Sequence, residues 1–271
     1  MSCGKQYRLK RLFNKSGKLF VVALDHGFTL GPIDGIKNIR EDLKDIVMAG
    51  PDAIIIHKGL VRYLDLNLCV EKNVSVIIHL MGSTDKSLKP NDKRVVCTVE
   101  EAIRLGADAV SVHVNIGSET ENDMLESVGE ISRDCEHWQV PLLGMFYPRG
   151  PKVDNPTDKK FVKHAARIAM ELNMDVVKTS FTSSETFSEV VKGAEIPVVI
   201  AGGSSISDEK LLTMIEAAVK AGGVGVSIGR NIFERPNRAK IINAIAAILH
   251  RDSSVEEALK LTFAETVINN D

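Results

Sequence analysis

Residues 107–115 read Ala-Asp-Ala-Val-Ser-Val-His-Val-Asn, and this alternation is the signature of a β-strand. Ala107, Ala109, Ser111, His113 and Asn115 form one small, increasingly polar row, while Val110, Val112 and Val114 form an apolar row. Further short Val- and Ile-rich runs, each bounded by Gly, Pro or polar residues, lie at Leu19–Leu24, Ala53–His57 and Val74–Leu80 before it. Pro141–Phe146, Asp175–Ser180, Pro197–Ala201 and Gly223–Ile228 follow it. Helix signals fill the intervals. Thr98 with Glu101 and Ser254 with Glu257 fit the capping box, and Asp208-Glu209 opens a stretch whose Leu211, Leu212, Ile215, Ala218 and Val219 share a face. Eight strand–helix units in about 250 residues is the arithmetic of an α/β (β/α)8 barrel. The rival, an open doubly wound sheet, usually carries GxGxxG at its first strand–helix turn; here that turn reads Asp25-His26-Gly27-Phe28-Thr29. No linker or second composition regime interrupts the chain, so one barrel domain is expected over 1–271.

Composition excludes several classes of partner. The 271 residues carry 34 Lys+Arg against 36 Asp+Glu, a net charge of −2, which argues against nucleic acid or a membrane surface. Four scattered cysteines, Cys3, Cys69, Cys97 and Cys135, form no disulfide framework or zinc spacing, and point to a reducing, cytoplasmic compartment. The basic start (Lys5, Arg8, Lys10, Arg11, Lys15, Lys18) precedes an apolar run too short for a signal peptide, and is expected to form a short solvated cap.

In a barrel the C-terminal ends of the strands build the active site. Asp25 ends the first strand's row, Val21-Ala23-Asp25, and Tyr147 ends the fifth, Leu143-Met145-Tyr147. Lys178 lies in the sixth strand, in the row Val176-Lys178-Ser180. A lysine between Val177 and Thr179 in a central strand cannot easily reach water, and desolvation favours the neutral amine that attacks carbonyls. Lys178 is therefore either a Schiff-base nucleophile or a mouth lysine that pairs with a carboxylate or phosphate; Lys58, at a turn after the second strand, is its rival. Carboxylate and phenol at Asp25 and Tyr147 suit the proton transfers such chemistry needs, although a turn cap and a packed aromatic would account for them singly.

The last two strands run into Gly202-Gly203-Ser204-Ser205 and Gly229-Arg230-Asn231. Glycine backbone comes close to anions, and a phosphate site after strands seven and eight recurs in barrels. His26, His57, His79 and His113 fall near four consecutive strand ends, where a metal ion could polarise a carbonyl. No HxH pair anchors such a site, and core packing or substrate contact, at His26 and His113 especially, is preferred to metal.

Seven motifs in order, LDHGFTLGPIDGI, IIHKGLVR, SVHVNIGS, MFYPRG, VVKTSFT, AGGSS and SIGRNIF, span residues 24 to 233. Together they resemble the family of archaeal-type class I fructose-bisphosphate aldolases and 2-amino-3,7-dideoxy-D-threo-hept-6-ulosonate synthases, with the closer likeness to the synthase branch. The resemblance implies Lys178 as Schiff-base nucleophile, Tyr147 as acid/base and Asp25 as second proton-transfer group. It implies a phosphorylated ketose or triose donor, an aldehyde acceptor such as L-aspartate semialdehyde, no cofactor, and a homo-oligomer, pentamer or decamer. Met145 stands where the sugar-phosphate aldolases carry Trp, and Gly202-Gly203-Ser204-Ser205 stands where the family usually reads GGPK. The phosphate is then expected on backbone N–H groups, Ser204 and Arg230. Fructose-bisphosphate aldolase, or a thiolase acting on a phosphorylated diketone with coenzyme A, are the alternatives.

Overall fold

A computed structural model describes residues 3–263. The outer limits of the expected domain, 1–2 and 264–271, lie outside the described residues. Eight parallel strands close into a barrel: β1 Leu19–Ala23, β2 Ala53–Ile56, β3 Ser75–His79, β4 Ala109–Ile116, β5 Leu142–Pro148, β6 Val176–Thr179, β7 Val198–Ala201 and β8 Gly225–Ile228. Neighbours in sequence are neighbours in space, and β1 pairs β8 (Leu19 with Gly225) to close the ring. Parallel pairing requires crossovers, and helices supply them. Their starts follow the sequence signals. Thr98 accepts from the Glu101 N–H at 3.1 Å, and Ser254 and Glu257 complete a reciprocal capping box.

Strand parity divides the apolar residues into two clusters. Val110, Val112 and Val114 join Phe20, Val22, Ile54 and Ile56 between strands and helices. Val21, Ala23, Ala53, Ile55, Ala109, Leu143, Met145, Val176 and Val199 fill the barrel interior. The polar row of β4 therefore points inward, and so do the rows ending in Asp25, Tyr147 and Lys178.

The basic N-terminal stretch departs from the expected solvated cap. Cys3–Leu12 is a helix whose end, with Leu9, Leu12 and Phe13, packs against the interior cluster and plugs the N-terminal mouth of the barrel. Its cations meet acids at the strand starts and on the helix Glu121–Trp138. Lys5 is only 2% exposed and pairs with Asp175 (3.3 Å) and Glu136 (3.0 Å), and Arg11 pairs with Asp108 at 2.9 Å. Asp52, Asp108 and Asp175 each accept a backbone N–H from the neighbouring strand, of Phe20, Val76 and Leu142. The helix covers apolar side chains while balancing this acidic rim.

The C-terminal mouth also carries an addition to the eightfold pattern. After β3 the chain forms a two-stranded antiparallel hairpin, Met81–Gly82 with Arg94–Val95, over the C-terminal mouth. Among the described residues no helix is long and apolar enough to cross a membrane.

Candidate active site

The C-terminal mouth opens into a cavity of about 510 Å³, within the range of small-molecule sites. Asp25, His26, His113, Tyr147, Lys178, Gly202, Gly203, Gly229 and Arg230 all line it. Two expected residues do not. Lys58 has opposite parity to His57, which takes the cavity position; the lysine starts a short 3-10 turn (Lys58–Tyr63) and bonds Glu101 at 2.9 Å. Ser204 is exposed beyond the cavity, and its carbonyl accepts from Asn231.

Lys178 is 6% exposed, level with Met145 across the β5–β6 pairing, and forms no ion pair among the described residues. Desolvation lowers its pKa, against the pull of Asp25 and with help from Arg149. Burial raises Asp25, but His26, His79, Lys178 and His57 outweigh it and hold the carboxyl well below the ordinary range. Asp25 Oδ1 is nevertheless buried without a hydrogen bond, since His26 Nδ1 stands 3.6 Å away. An ionised oxygen kept unmet in a cavity is costly unless a ligand supplies its donor. Tyr147, 8% exposed, is pushed well above its usual pKa by burial, which the Arg149 guanidinium, 5.0 Å over its ring, only partly offsets. It stays a phenol, able to give a proton.

Three of the histidines form a chain of rings rather than a ligand set, with His57–His79 centroids at 5.3 Å, His79–His113 at 6.4 Å and His113–Tyr147 at 5.2 Å, while His26 packs on Phe233 at 5.2 Å. Among the described residues no three His, Cys, Asp or Glu come together to hold a metal. Burial first, then Lys93, Arg149 and His79, keeps His113 neutral. Its tautomer follows from a chain of hydrogen bonds. The Asn91 carbonyl accepts from Asn115 Nδ2 (2.8 Å), which turns Asn115 Oδ1 toward His113 Nε2 (3.0 Å), so Nε2 carries the proton and Nδ1 keeps a lone pair. His79 is driven down to about 3, chiefly by burial, and bonds Ser111 Oγ at 2.9 Å.

The glycine loops meet on the opposite wall. Gly203 has φ +67°, a left-handed conformation that favours glycine, and a Cβ on Gly229 would lie 2.5 Å from the Ala23 carbonyl oxygen, an approach that only glycine allows. Fully buried Asn231 clamps the first loop, donating to the carbonyls of Gly202 (2.9 Å) and Ser204 (3.0 Å) and accepting from Ile206 N–H (3.0 Å). Ser227 Oγ and Arg230 Nε are buried without partners beside these loops. Sequence reasoning passed over Asn231, Ser227, Lys93 and Arg149. Inward parity on β8 would have found Ser227, and Arg149 lies inside the YPRG motif, but Lys93 sits in the hairpin, which has no barrel periodicity.

A family model described as DeoC/LacD family aldolase matches residues 19–235. A 2-amino-3,7-dideoxy-D-threo-hept-6-ulosonate synthase of Archaeoglobus fulgidus is 40% identical over 259 residues, covering 95% of both chains. A 2-amino-4,5-dihydroxy-6-oxo-7-(phosphonooxy)heptanoate synthase of Streptomyces griseus is 37% identical over 253 residues and 92% of both. An archaeal fructose-1,6-bisphosphate aldolase, solved with its catalytic lysine bound to the carbinolamine intermediate, superposes with TM-score 0.83 at 34% identity, covering 90% of this chain and 99% of that one.

Proposed function

The chain belongs to the DeoC/LacD family of aldolases, and from that premise we propose that it is a Schiff-base aldolase or transaldolase with Lys178 as nucleophile. The observation that carries this reading is an amine buried in the barrel mouth, depressed by desolvation, unpaired among the described residues, and sharing its cavity with an ionised carboxylate and a protonated phenol. Neutral Lys178 forms its C–N bond to the donor ketone, and the carbonyl oxygen leaves as water after protonation through Tyr147. Loss of a proton from the adjacent carbon, or cleavage of the bond to it, gives the enamine. That carbon attacks the aldehyde, whose oxygen takes a proton, and water then releases the product ketone from Lys178. Asp25, with its unmet oxygen, receives and returns the moving proton.

The donor's phosphate fits the loops at Gly202–Gly203 and Gly229–Arg230, with Ser227 Oγ and Arg230 Nε as unspent donors. The acceptor is read from the product named for the Streptomyces relative. Disconnecting it between its two hydroxyl-bearing carbons leaves dihydroxyacetone phosphate and an amino-acid aldehyde, L-aspartate semialdehyde. The sugar-bisphosphate reading rests on the solved aldolases at 33–34% identity. Four free cysteines support a reducing, cytoplasmic setting, and the family likeness supports a pentamer or decamer.

Borohydride added with dihydroxyacetone phosphate is expected to fix the donor's mass on Lys178, and Lys178→Ala to abolish turnover. Label on Lys58 alone would overturn the assignment. Product formation from dihydroxyacetone phosphate with aspartate semialdehyde, but not with glyceraldehyde 3-phosphate, separates the synthase from the sugar aldolase. Consumption of coenzyme A without an aldehyde would indicate the thiolase.

A further inference from the structure

Four cations and one carboxylate line the cavity: Lys178, Arg230, Lys93 and Arg149 against Asp25. The proposed chemistry uses Lys178 as a neutral amine and Arg230 for the donor phosphate, which leaves two positive charges unaccounted for. Lys93 is the stranger of the two. It is 7% exposed, yet among the described residues no carboxylate lies within ion-pair distance of it. Its ammonium donates to Ser83 Oγ at 2.7 Å, and Ser83 spends its own proton on the Pro90 carbonyl at 2.6 Å. One of three N–H bonds is thereby used on a neutral acceptor, and two remain. Holding a charge away from water without a counter-ion costs several kcal/mol in general, so such a lysine is kept where a ligand brings the counter-ion. Arg149 has no carboxylate partner among the described residues either; the Ile116 carbonyl holds its backbone N–H at 2.8 Å, and its guanidinium lies over Tyr147.

The barrel order places this pair. Lys93 stands in the hairpin over β3–β4, where Asn91 in the same segment caps Asn115 of β4, and Arg149 follows β5 directly. The phosphate loops follow β7 and β8, half-way round the ring from β4. Lys178 on β6 lies between the two anion-binding ends.

We propose that Lys93 and Arg149 form a second anion subsite that binds the carboxylate of the acceptor aldehyde and selects acidic aldehydes over neutral ones. This rests on the Schiff-base reading above and deepens it. With the acceptor's carboxylate held at this wall, its aldehyde carbon extends back toward the enamine on Lys178, beside the Tyr147 phenol that protonates the new alkoxide.

The test compares kcat/KM for L-aspartate semialdehyde with that for butanal, which has the same four carbons and no charge, both with dihydroxyacetone phosphate. Lys93→Met should lower the ratio of the two by about 10–10²-fold, the usual worth of a charged hydrogen bond, and Arg149→Met, at an exposed position, should lower it in the same direction. Equal losses for both aldehydes, or an unchanged ratio, overturn the subsite. Thermal melting guards against a purely structural role. Removing a buried unpaired charge should raise the midpoint of Lys93→Met, whereas a structural lysine predicts a fall. Titration with L-homoserine, the unreactive alcohol analogue, needs no turnover and should bind the unaltered protein about 10-fold or more tighter than Lys93→Met. Borohydride trapping with donor alone reports on Lys178 independently, so failure there sinks the chemistry while the homoserine titration still decides the subsite.

Discussion

At Tyr147 burial and the Asp25 charge both favour the protonated phenol, and only Arg149 opposes them. The residue therefore stays protonated at working pH, and in the proposed acid role Tyr147→Phe should cut kcat by about 10²–10⁴, the worth of a positioned acid, measured by steady-state turnover. Lys178 sets the pH response. Its folded pKa is below the ordinary lysine value, so the neutral fraction grows as pH rises through that lowered pKa. The rate of donor trapping should rise with pH over that window and then level, a profile read directly from borohydride labelling. Lys58 makes the contrast. It shares the side chain but not the parity, and its hydrogen bond to Glu101 raises its pKa and keeps it charged. The strand pattern shows only that His57 and Lys58 cannot both face inward; the closed barrel gives the cavity position to His57.

Single residues act here through the elements that carry them. The loop after β7 is held from outside: Asn231, from the segment after β8, ties together two of its carbonyls and the Ile206 N–H, and Arg235 donates to the Ile206 carbonyl. Asn231→Ala leaves these buried groups unpaired, at about 1–3 kcal/mol. It should lower stability to denaturant by that amount and raise KM for the phosphorylated donor by more than KM for the aldehyde. Equal effects on both would show that the clamp does not serve the phosphate loop. The glycines of this loop could be read from the chain; the clamp could not, because its two parts are separated by the whole of β8 and its preceding helix. The hairpin behaves likewise. Its strands are two residues each, too short for any periodic pattern, and only the closed barrel brings Lys93 over the mouth. The N-terminal helix reads as a run of cations, and its apolar end becomes a plug only where an open barrel mouth and an acidic rim await it.

Across the whole molecule, the histidines at the mouth couple stability to pH. Burial lowers the pKa of His26, His57, His79 and His113, so the folded state binds fewer protons there than the unfolded chain below about pH 6.5. Stability must then fall as pH drops from about 6.5 toward 3, where His79 itself titrates. Asp25, depressed in the folded state, adds a further loss below the ordinary carboxylate range. Urea unfolding at pH 7, 5.5 and 4.5 should show this slope, and His79→Gln, which removes one buried imidazole, should flatten it. A slope unchanged in that variant would place the acid sensitivity elsewhere.

Eight strands, their two-sided alternation and the glycine loops after the last two were determined by the sequence itself, because period-two patterning and glycine act over a few residues. Asp25, Tyr147 and Lys178 stood out for the same reason, each being polar in a row that a barrel turns one way. Which row faced inward was a tertiary matter, settled when β1 closed on β8 and helices covered the other face. Closure likewise seated His57 in place of Lys58, tied Asn231 to its loop, buried Lys5 among acids and set Lys93 without a counter-ion. Those outcomes depend on distances between segments tens to hundreds of residues apart. Desolvation and charge pairing act through space, and local pattern does not contain them.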